Sequence, residues 1–229
     1  MPGAYVIFEG GDGVGKSTVI ETVGKRLRAI DKFTDKVVVT RQPGGTALGS
    51  HLRQLVKYPH QIDPNIVIDD LSRQILYMVD SIACAKQVIQ PAIDANQIVM
   101  TDRSSFVSSL VYGIADGLDV ADIDRLFSLI TPPKADRLYI LQCPYNVTQS
   151  RLRNADTTLQ KDHYDTKPSE FFAKIEKTYN DLLTGPVEWK ILINRIVALE
   201  NVKYIDSSLD SEKIAQDIAE DIASLPCFL

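Results

Sequence analysis

Five short apolar runs, separated by stretches with helical spacing, most constrain how this chain can fold. They lie at residues 5–8, 37–40, 98–101, 138–141 and 202–205. Runs of this length suit strands that are buried on both faces. Strands that alternate with helices are joined by right-handed crossovers, which give a parallel sheet covered by helices on both sides. The sequence therefore predicts an α/β fold with three layers and a five-stranded parallel sheet in the middle.

The size and charge of the chain limit its organisation and its partners. The 229 residues contain no internal repeat and no linker rich in Gly, Pro and Ser, so we expect a single domain over residues 1–229. The formal net charge is −5, with 25 basic and 30 acidic side chains. A nucleic-acid polymer requires a broad basic surface, so this balance predicts no such partner. A small anionic ligand needs only local positive charge and remains possible.

The cysteines and the hydropathy pattern indicate where the protein resides. Cys84, Cys143 and Cys227 are odd in number and lack the spacing of a metal site, which is typical of a reducing cytoplasm. The first residues have no basic segment followed by a long apolar one, and no run of 18 apolar residues occurs anywhere in the chain. We therefore expect a cytoplasmic protein without a membrane partner.

A glycine-rich segment follows the first apolar run. GGDGVGKS at residues 10–17 matches the pattern GxxxxGK[ST], and it stands between a predicted strand and an amphipathic helix, as a phosphate loop requires. The backbone N–H groups of such a loop surround phosphate, its lysine reaches the β- and γ-phosphates, and its hydroxyl binds Mg²⁺. The sequence therefore predicts a P-loop NTPase-type fold. The predicted ATP-binding residues are Gly10, Gly13, Val14, Gly15, Lys16, Ser17 and Thr18.

Other predicted strands also end in residues that suit phosphate or metal. Asp102 follows the third run directly, and a carboxylate at that place in a P-loop fold holds Mg²⁺ or one of its waters. Mg²⁺ is thus the predicted cofactor, with Ser17 and Asp102 as its ligands. A kinase acting on a small molecule also needs a second anion site and mobile arginines. The arginines available for these roles are Arg41, Arg53, Arg103, Arg151 and Arg153.

Several segments together resemble the thymidylate kinase family, in particular its bacterial branch. The resemblance runs nearly end to end, and its specific parts are the PGGT and DR segments rather than the widely shared phosphate loop. The matching segments are FEGGDGVGKST (8–18), TRQPGGTALGSHLR (40–53), VIQPAI (88–93), TDRSSFVSSLVYG (101–113), PPKADRLYIL (132–141), RLR (151–153), DHYD (162–165) and YIDSS (204–208).

The resemblance implies phosphoryl transfer from ATP to a deoxynucleoside monophosphate, with dTMP as the expected acceptor, in a homodimer. It places a lid around residues 150–167. The implied catalytic residues are Lys16, Arg103, Arg151 and Arg153. The implied substrate-binding residues are Asp12 near the sugar and metal region, Pro43 beside the acceptor, Arg53 and Arg103 on its phosphate, Tyr164 near its sugar, and Tyr77, Ser81 and Ser108 near its base.

The chain departs from the family pattern in two segments that bind phosphate. Gln42 stands where the bacterial branch has an acidic residue, so a carboxylate near the acceptor phosphate is missing. His163 stands where many relatives have arginine, which leaves Arg151, Arg153 or Lys161 to serve the lid.

A third departure concerns the base. The family places an arginine, which donates to the thymine O4 atom, one helical turn after an aromatic residue. Here those positions are Ser81 and Tyr77. The neighbouring Asp80 is expected either to pair with a base amino group or to be solvated. Ser108 begins an SSLVY segment that lies one residue further from Arg103 than in the family and lacks the following glutamine.

These departures leave alternatives open. The same reaction could serve another base, as in dCMP, dGMP or a modified pyrimidine nucleotide. A protein of a different class, a P-loop switch or an inactive nucleotide-binding partner, would bind ATP without phosphorylating a monophosphate. The segment at residues 187–198 is not explained by the resemblance.

Overall fold

A computed structural model of the chain describes residues 3–154 and 162–228, without the side chains of Tyr145, Arg153 and Asn154. Its five strands form one parallel sheet in the order β2-β3-β1-β4-β5. Each strand contains one of the predicted apolar runs and extends it by one residue at one or both ends. The strands are β1 (Ala4–Glu9), β2 (Val37–Arg41), β3 (Ile98–Asp102), β4 (Arg137–Gln142) and β5 (Val202–Asp206).

Helices connect the strands as the alternating pattern predicts. A π-helical turn, Ala85–Ile89, joins α4 to α5. Within the described residues, no helix is long and apolar enough to cross a membrane. The helices are α1 (Lys16–Arg28), α2 (Ala47–Lys57), α3 (Pro59–Ile62), α4 (Asp70–Cys84), α5 (Gln90–Asp94), α6 (Ser105–Asp116), α7 (Val120–Ser128), α8 (Tyr145–Asn154), α9 (Ser169–Asp181), α10 (Val187–Ile196) and α11 (Ser211–Ala223).

The central strand β1 shows why the protein has three layers. Successive side chains of a strand point to opposite faces of the sheet. Tyr5 and Ile7 accordingly pack into an apolar cluster with α4, α6, α9 and α10. Ala4, Val6 and Phe8 pack into a second cluster with α1 and α11 on the other face. Both faces of the sheet are therefore buried, and the predicted three-layer α/β fold is confirmed.

The register of the sheet brings the functional loops to one edge. Phe8 of β1 and Arg41 of β2 both lie beside Asp102 of β3, and Glu9 lies beside Ile140 of β4. All five strands are parallel, so the loops that follow them leave from the same edge. In open parallel sheets, ligands bind at this carboxyl edge.

The segment at 187–198 contributes to the core. Helix α10 buries Leu192, Ile193 and Ile196 in the cluster that contains α6 and α7. Val197 then forms a parallel β-bridge with Ala135, just before β4. The segment thus packs against the helices of one layer and adds a bridge beside β4, which gives it a structural role.

Candidate active site

A cavity of about 880 Å³ opens at the carboxyl edge of the sheet. It extends from the loop after β1 to Tyr77 on α4 and to Tyr164. Gly10 and Ser81 are not among its described lining residues, and the Arg153 side chain lies outside the described part of the chain. The other predicted site residues line the cavity: Asp12, Gly13, Val14, Gly15, Lys16, Ser17, Thr18, Pro43, Arg53, Tyr77, Asp102, Arg103, Ser108, Arg151 and Tyr164.

The loop after β1 has the backbone geometry of a phosphate loop. Gly10 has φ +137°, and a Cβ atom there would lie 2.3 Å from the Leu141 carbonyl oxygen, so glycine is required. Helix α1 begins directly after the loop without a side-chain cap. Its first N–H groups and its positive dipole end are therefore available to an anion.

Lys16 spans this loop. Its Nζ atom donates to the carbonyl oxygens of Gly10 and Gly11, each at 2.8 Å. Burial, together with the charge of Arg103, lowers the pKa of Lys16 to about 8. The ammonium is still mostly charged at neutral pH, so Lys16 can bind phosphate oxygens by charge-assisted hydrogen bonds.

Ser17 and Asp102 meet beside the loop. The Ser17 hydroxyl, in the first turn of α1, donates to Asp102 Oδ2 at the end of β3, at 3.2 Å. A hydroxyl and a carboxylate are oxygen ligands of the kind that Mg²⁺ prefers. Among the described residues, no group of three or more His, Cys, Asp and Glu is arranged to hold a metal. A cation here would therefore need phosphate oxygens and waters as its remaining ligands.

Arg103 lines the cavity and has an unusual backbone conformation. Its φ is +71°, and its amide donates to the Phe8 carbonyl at 2.8 Å. The Arg103 Nη2 atom donates to Asp12 Oδ1 at 2.6 Å, and the guanidinium carbon lies 5.4 Å from the centre of the Tyr112 ring. The left-handed backbone turns the side chain across the end of β1, toward the loop that contains Asp12.

The ion pair with Arg103 sets the charge of Asp12. Enclosure by the cavity walls raises the pKa of this carboxyl, but the charges of Arg103 and Lys16 outweigh that effect and lower it to about 2. The Asp12 side chain remains 53% exposed, so the ion pair rather than burial decides the direction. Asp12 is therefore ionised at neutral pH, at the mouth of the cavity.

Beyond Arg103, the cavity has an arginine and an aromatic wall. The Arg53 Nη1 atom donates to the Pro43 carbonyl oxygen at 3.1 Å, which places the guanidinium beside the PGGT turn. The rings of Tyr112 and Tyr164 are 5.0 Å apart, edge to face, and Tyr77 lines the same space. Flat rings next to a fixed cation suit a ligand with a planar group and a phosphate.

Two of the departures from the family pattern contact each other. Ser81 is buried, and its hydroxyl donates to Gln42 Oε1 at 3.3 Å. The same oxygen accepts from the Ser105 amide at 2.7 Å. Gln42 lines the cavity, whereas Ser81 lies behind it. Positions 42 and 81, where the family has an acidic residue and an arginine, are therefore in direct contact with each other. Both carry neutral side chains in this chain.

The expectation that Asp80 is solvated is wrong, and Asp80 is not among the described residues that line the cavity. Its side chain is fully buried, and Oδ1 accepts from the Gly44 amide at 3.0 Å. A Cβ atom at Gly49 would lie 2.1 Å from the same oxygen, so glycine at that position of α2 makes room for the carboxylate. Burial raises the pKa of Asp80 to about 6.

The lid region contributes one described arginine. Arg151 on α8 donates from Nη1 to the Val14 carbonyl at 3.1 Å and from Nη2 to the Ser207 carbonyl at 2.9 Å. The side chain thus bridges the phosphate loop and the turn after β5. Arg153 and Lys161, the other cations considered for the lid, lie outside the described side chains.

The part of the lid that starts at Asp162 is held by an ion pair that the sequence analysis did not predict. Lys57 at the end of α2 forms an ion pair with Asp162, and Asp162 Oδ1 accepts from the Tyr164 amide at 2.8 Å. Lys57 lay outside the matched segments, which is why no motif indicated it.

The neighbouring His163 does not replace the family arginine as a cation. Burial and nearby positive charges lower the pKa of His163 to about 4, so it is neutral at pH 7.

The fold and this site define a class of protein. A phosphate loop after β1, an aspartate at the end of β3 and a parallel sheet with the order 2-3-1-4-5 are the features of a P-loop nucleotide-binding protein. The second arm of the cavity, with Arg53, Arg103 and an aromatic wall, adds room for another phosphorylated ligand.

Comparisons with known proteins identify the family. The family model described as thymidylate kinase matches residues 8–207. A thymidylate kinase from Bifidobacterium longum (strain DJO10A) is 33% identical, over 98% of this chain and 100% of the relative. One from Marinomonas sp. (strain MWYL1) is 30% identical, over 98% and 96%. The crystal structure of thymidylate kinase from Ehrlichia chaffeensis superposes with a TM-score of 0.67 at 21% identity, covering 96% of this chain and 97% of that one, which supports the fold. The chain belongs to the thymidylate kinase family.

Proposed function

We propose that the protein transfers the γ-phosphoryl group of ATP to the phosphate of a deoxynucleoside monophosphate, with dTMP as the acceptor. The observation that carries this proposal is one continuous cavity. It joins a phosphate loop at one end to Arg53, Arg103 and an aromatic wall at the other. Family membership supports the same reaction.

The charges in the cavity suit phosphoryl transfer without a general base. The acceptor phosphate is a dianion at neutral pH, so no side chain has to remove a proton from it first. The barrier comes from bringing two polyanions together in line. Lys16, Arg103 and Arg151 supply positive charge around the place where the phosphates meet, and such charge stabilises the phosphoryl oxygens in the transition state.

Mg²⁺ fits the same site. Ser17 and Asp102 would hold the ion through the hydroxyl and the carboxylate, with ATP oxygens and waters as the remaining ligands. When bound, Mg²⁺ neutralises negative charge on the β- and γ-phosphates. The protein side chains keep their own roles: Lys16 binds ATP oxygens, and Arg103 binds the acceptor.

A substrate panel tests the reaction. The purified protein is incubated with ATP, Mg²⁺ and each deoxynucleoside monophosphate in turn, and the diphosphate products are quantified. We expect the largest kcat/KM with dTMP. Absence of dTDP above background would refute the proposal, and omission of Mg²⁺ should remove turnover with every acceptor.

The contact between Ser81 and Gln42 favours a second candidate, the same reaction with an altered or broader base preference. Ser81 on α4 lies behind the cavity, so it does not supply the donor to thymine O4 that the family arginine provides. A higher kcat/KM with dCMP, dGMP or a modified pyrimidine nucleotide than with dTMP would select this alternative. ATP binding without transfer to any acceptor would instead indicate a switch or an inactive partner.

We also propose a homodimer through α4. Leu71, Ile75 and Val79 follow one another at intervals of four residues and are 39%, 43% and 38% exposed, which forms an apolar stripe on the helix. A contact between two such stripes buries apolar area. Light scattering should give twice the monomer mass, and Ile75→Asp should give the monomer. A wild-type monomer would refute this part.

The thiols support a reducing location, the cytoplasm. The three cysteines are free, and Cys84 is buried in the core. Fractionation of expressing cells is the direct measurement, and accumulation outside the cytoplasm would contradict this assignment.

A further inference from the structure

A buried carboxylate lies beneath Arg103. Glu9, the last residue of β1, is fully buried. Its Oε1 atom accepts hydrogen bonds from the Ser104 amide at 2.8 Å and from the Ser108 hydroxyl at 3.0 Å. Its Oε2 atom lies 3.6 Å from Arg103 Nη1. A buried carboxylate is tolerated only when it is paired and hydrogen-bonded, and Glu9 meets both conditions.

Tyr179 completes this arrangement from α9. The side chain is buried, and its hydroxyl donates to Glu9 Oε2 at 2.7 Å. The same hydroxyl oxygen accepts from Arg103 Nη1 at 3.4 Å. Burial and the nearby Glu9 carboxylate raise the pKa of Tyr179 well above its ordinary value. The hydroxyl therefore keeps its proton and acts as a donor to the carboxylate.

The two sides of the Arg103 guanidinium differ in what holds them. On the cavity side, Nη2 binds Asp12, which is 53% exposed. On the protein side, Nη1 faces Glu9 and Tyr179, which are both buried. An incoming phosphate reaches the guanidinium from the cavity and competes with Asp12. It cannot displace the buried pair, so the position of the guanidinium is fixed from behind.

We propose that Tyr179 is a positioning residue, whose hydroxyl holds the Glu9 carboxylate against Arg103 and thereby fixes the guanidinium for the acceptor phosphate. This inference rests on the proposed function for the identity of the ligand. Its physical basis is preorganisation: a cation held in place by the fold loses less conformational entropy when it binds. The position of Tyr179 on α9 explains why no strand-end motif indicated it.

Tyr179→Phe removes only the hydroxyl and is the main test. A hydrogen bond to a charged group contributes enough free energy that its loss should raise the acceptor KM roughly tenfold. The KM for ATP should stay within about twofold, since Tyr179 contacts no residue of the phosphate loop in the hydrogen bonds described above. Equal increases of both constants, or an acceptor KM within about twofold of wild type, would overturn the proposal.

Tyr204→Phe is the matched control. The Tyr204 hydroxyl, on β5, donates to the Tyr179 carbonyl oxygen at 3.1 Å, so this change removes a hydroxyl that contacts the backbone of Tyr179 without touching Glu9 or Arg103. Its acceptor KM should equal that of the wild type. If Tyr179→Phe does not fold, Glu9→Gln removes the charge at nearly constant shape, and the same selective rise in acceptor KM is expected.

A second readout does not depend on turnover. The NMR signal of the Arg103 Nε–H group, assigned by its loss in Arg103→Lys, should report an ordered guanidinium in the wild type and in Tyr204→Phe. It should report a mobile one in Tyr179→Phe, and an ordered guanidinium there would refute the positioning role. If the wild type phosphorylates no monophosphate, the proposed function fails, while this signal still decides the role of Tyr179.

Discussion

The phosphate end and the base end of the cavity are assembled in different ways. At the phosphate end, Asp102 is the last residue of β3, Arg103 follows it directly, and Lys16 begins α1 after the loop that follows β1. At the base end, Tyr77 comes from the middle of α4, and Tyr164 lies in the lid region. Parallel strands bring their ends together by geometry alone, whereas helix faces meet only through packing. The first end therefore depends on backbone topology, and the second depends on which side chains fill the space.

The largest effect, a loss of kcat, should come from removing a cation at the phosphate end. Replacement of Lys16 or Arg103 by alanine removes a main electrostatic contact to the reacting phosphates. Such losses reduce kcat by about 10²- to 10³-fold. Steady-state kinetics with ATP and dTMP measures the effect.

Lys25→Ala is the control for the lysine variant. Lys25 lies on the same helix, and its side chain is 70% exposed and paired with Glu21. Its replacement should leave kcat/KM nearly unchanged, because exposed pairs of this kind contribute little. Wild-type kinetics in Lys16→Ala or Arg103→Ala would show that the reaction takes place elsewhere.

This difference also explains what the sequence could predict. All five strands and the contact between Ser17 and Asp102 agree with the sequence pattern, because short apolar runs and the residues after them are local signals. The roles of Asp80 and Tyr179 could not be read in this way. Asp80 is accommodated by the missing side chain at Gly49, and Tyr179 bonds Glu9 across 170 positions of sequence. Such complementarity exists only once the helices have packed.

Introducing charged side chains at positions 81 and 42, near the base end, should have the next largest effect, a change in the free energy of unfolding. Ser81→Arg introduces a cation at a position that is 1% exposed, opposite a neutral Gln42. A buried charge without a partner should lower the free energy of unfolding by about 3 kcal/mol. Adding Gln42→Glu supplies the opposite charge and should recover about 1 to 3 kcal/mol, a coupling typical of residues in contact. Chemical denaturation of both single variants and the double variant measures this coupling.

The same variants test the base end as a recognition site. If the missing arginine loosens the pocket, the double variant should show a higher ratio of kcat/KM for dTMP over dCMP than the wild type. Gln42→Glu alone is the control, since it changes the cavity lining without adding a donor. Additive stability effects together with an unchanged ratio would show that positions 42 and 81 are independent and that the base is read elsewhere.

The smallest effect concerns the pH dependence of stability, through the buried Asp80. Its pKa is raised to about 6 in the folded state by burial, against about 3.9 in an unfolded chain. Between these values the folded state binds more protons than the unfolded state, so the free energy of unfolding falls as pH rises from 4 to 6 and stays lower above that range. At about 1.4 kcal/mol per pH unit, the contribution is about 2 to 3 kcal/mol.

Asp80→Asn removes this titration, so the wild type should lose stability relative to the variant between pH 4 and 7. Urea denaturation across this range measures the difference, with the exposed Asp35→Asn as a control that should run parallel to the wild type. A constant difference between the wild type and Asp80→Asn would contradict this prediction, because it would mean that the Asp80 carboxyl does not titrate between pH 4 and 7 in the folded state.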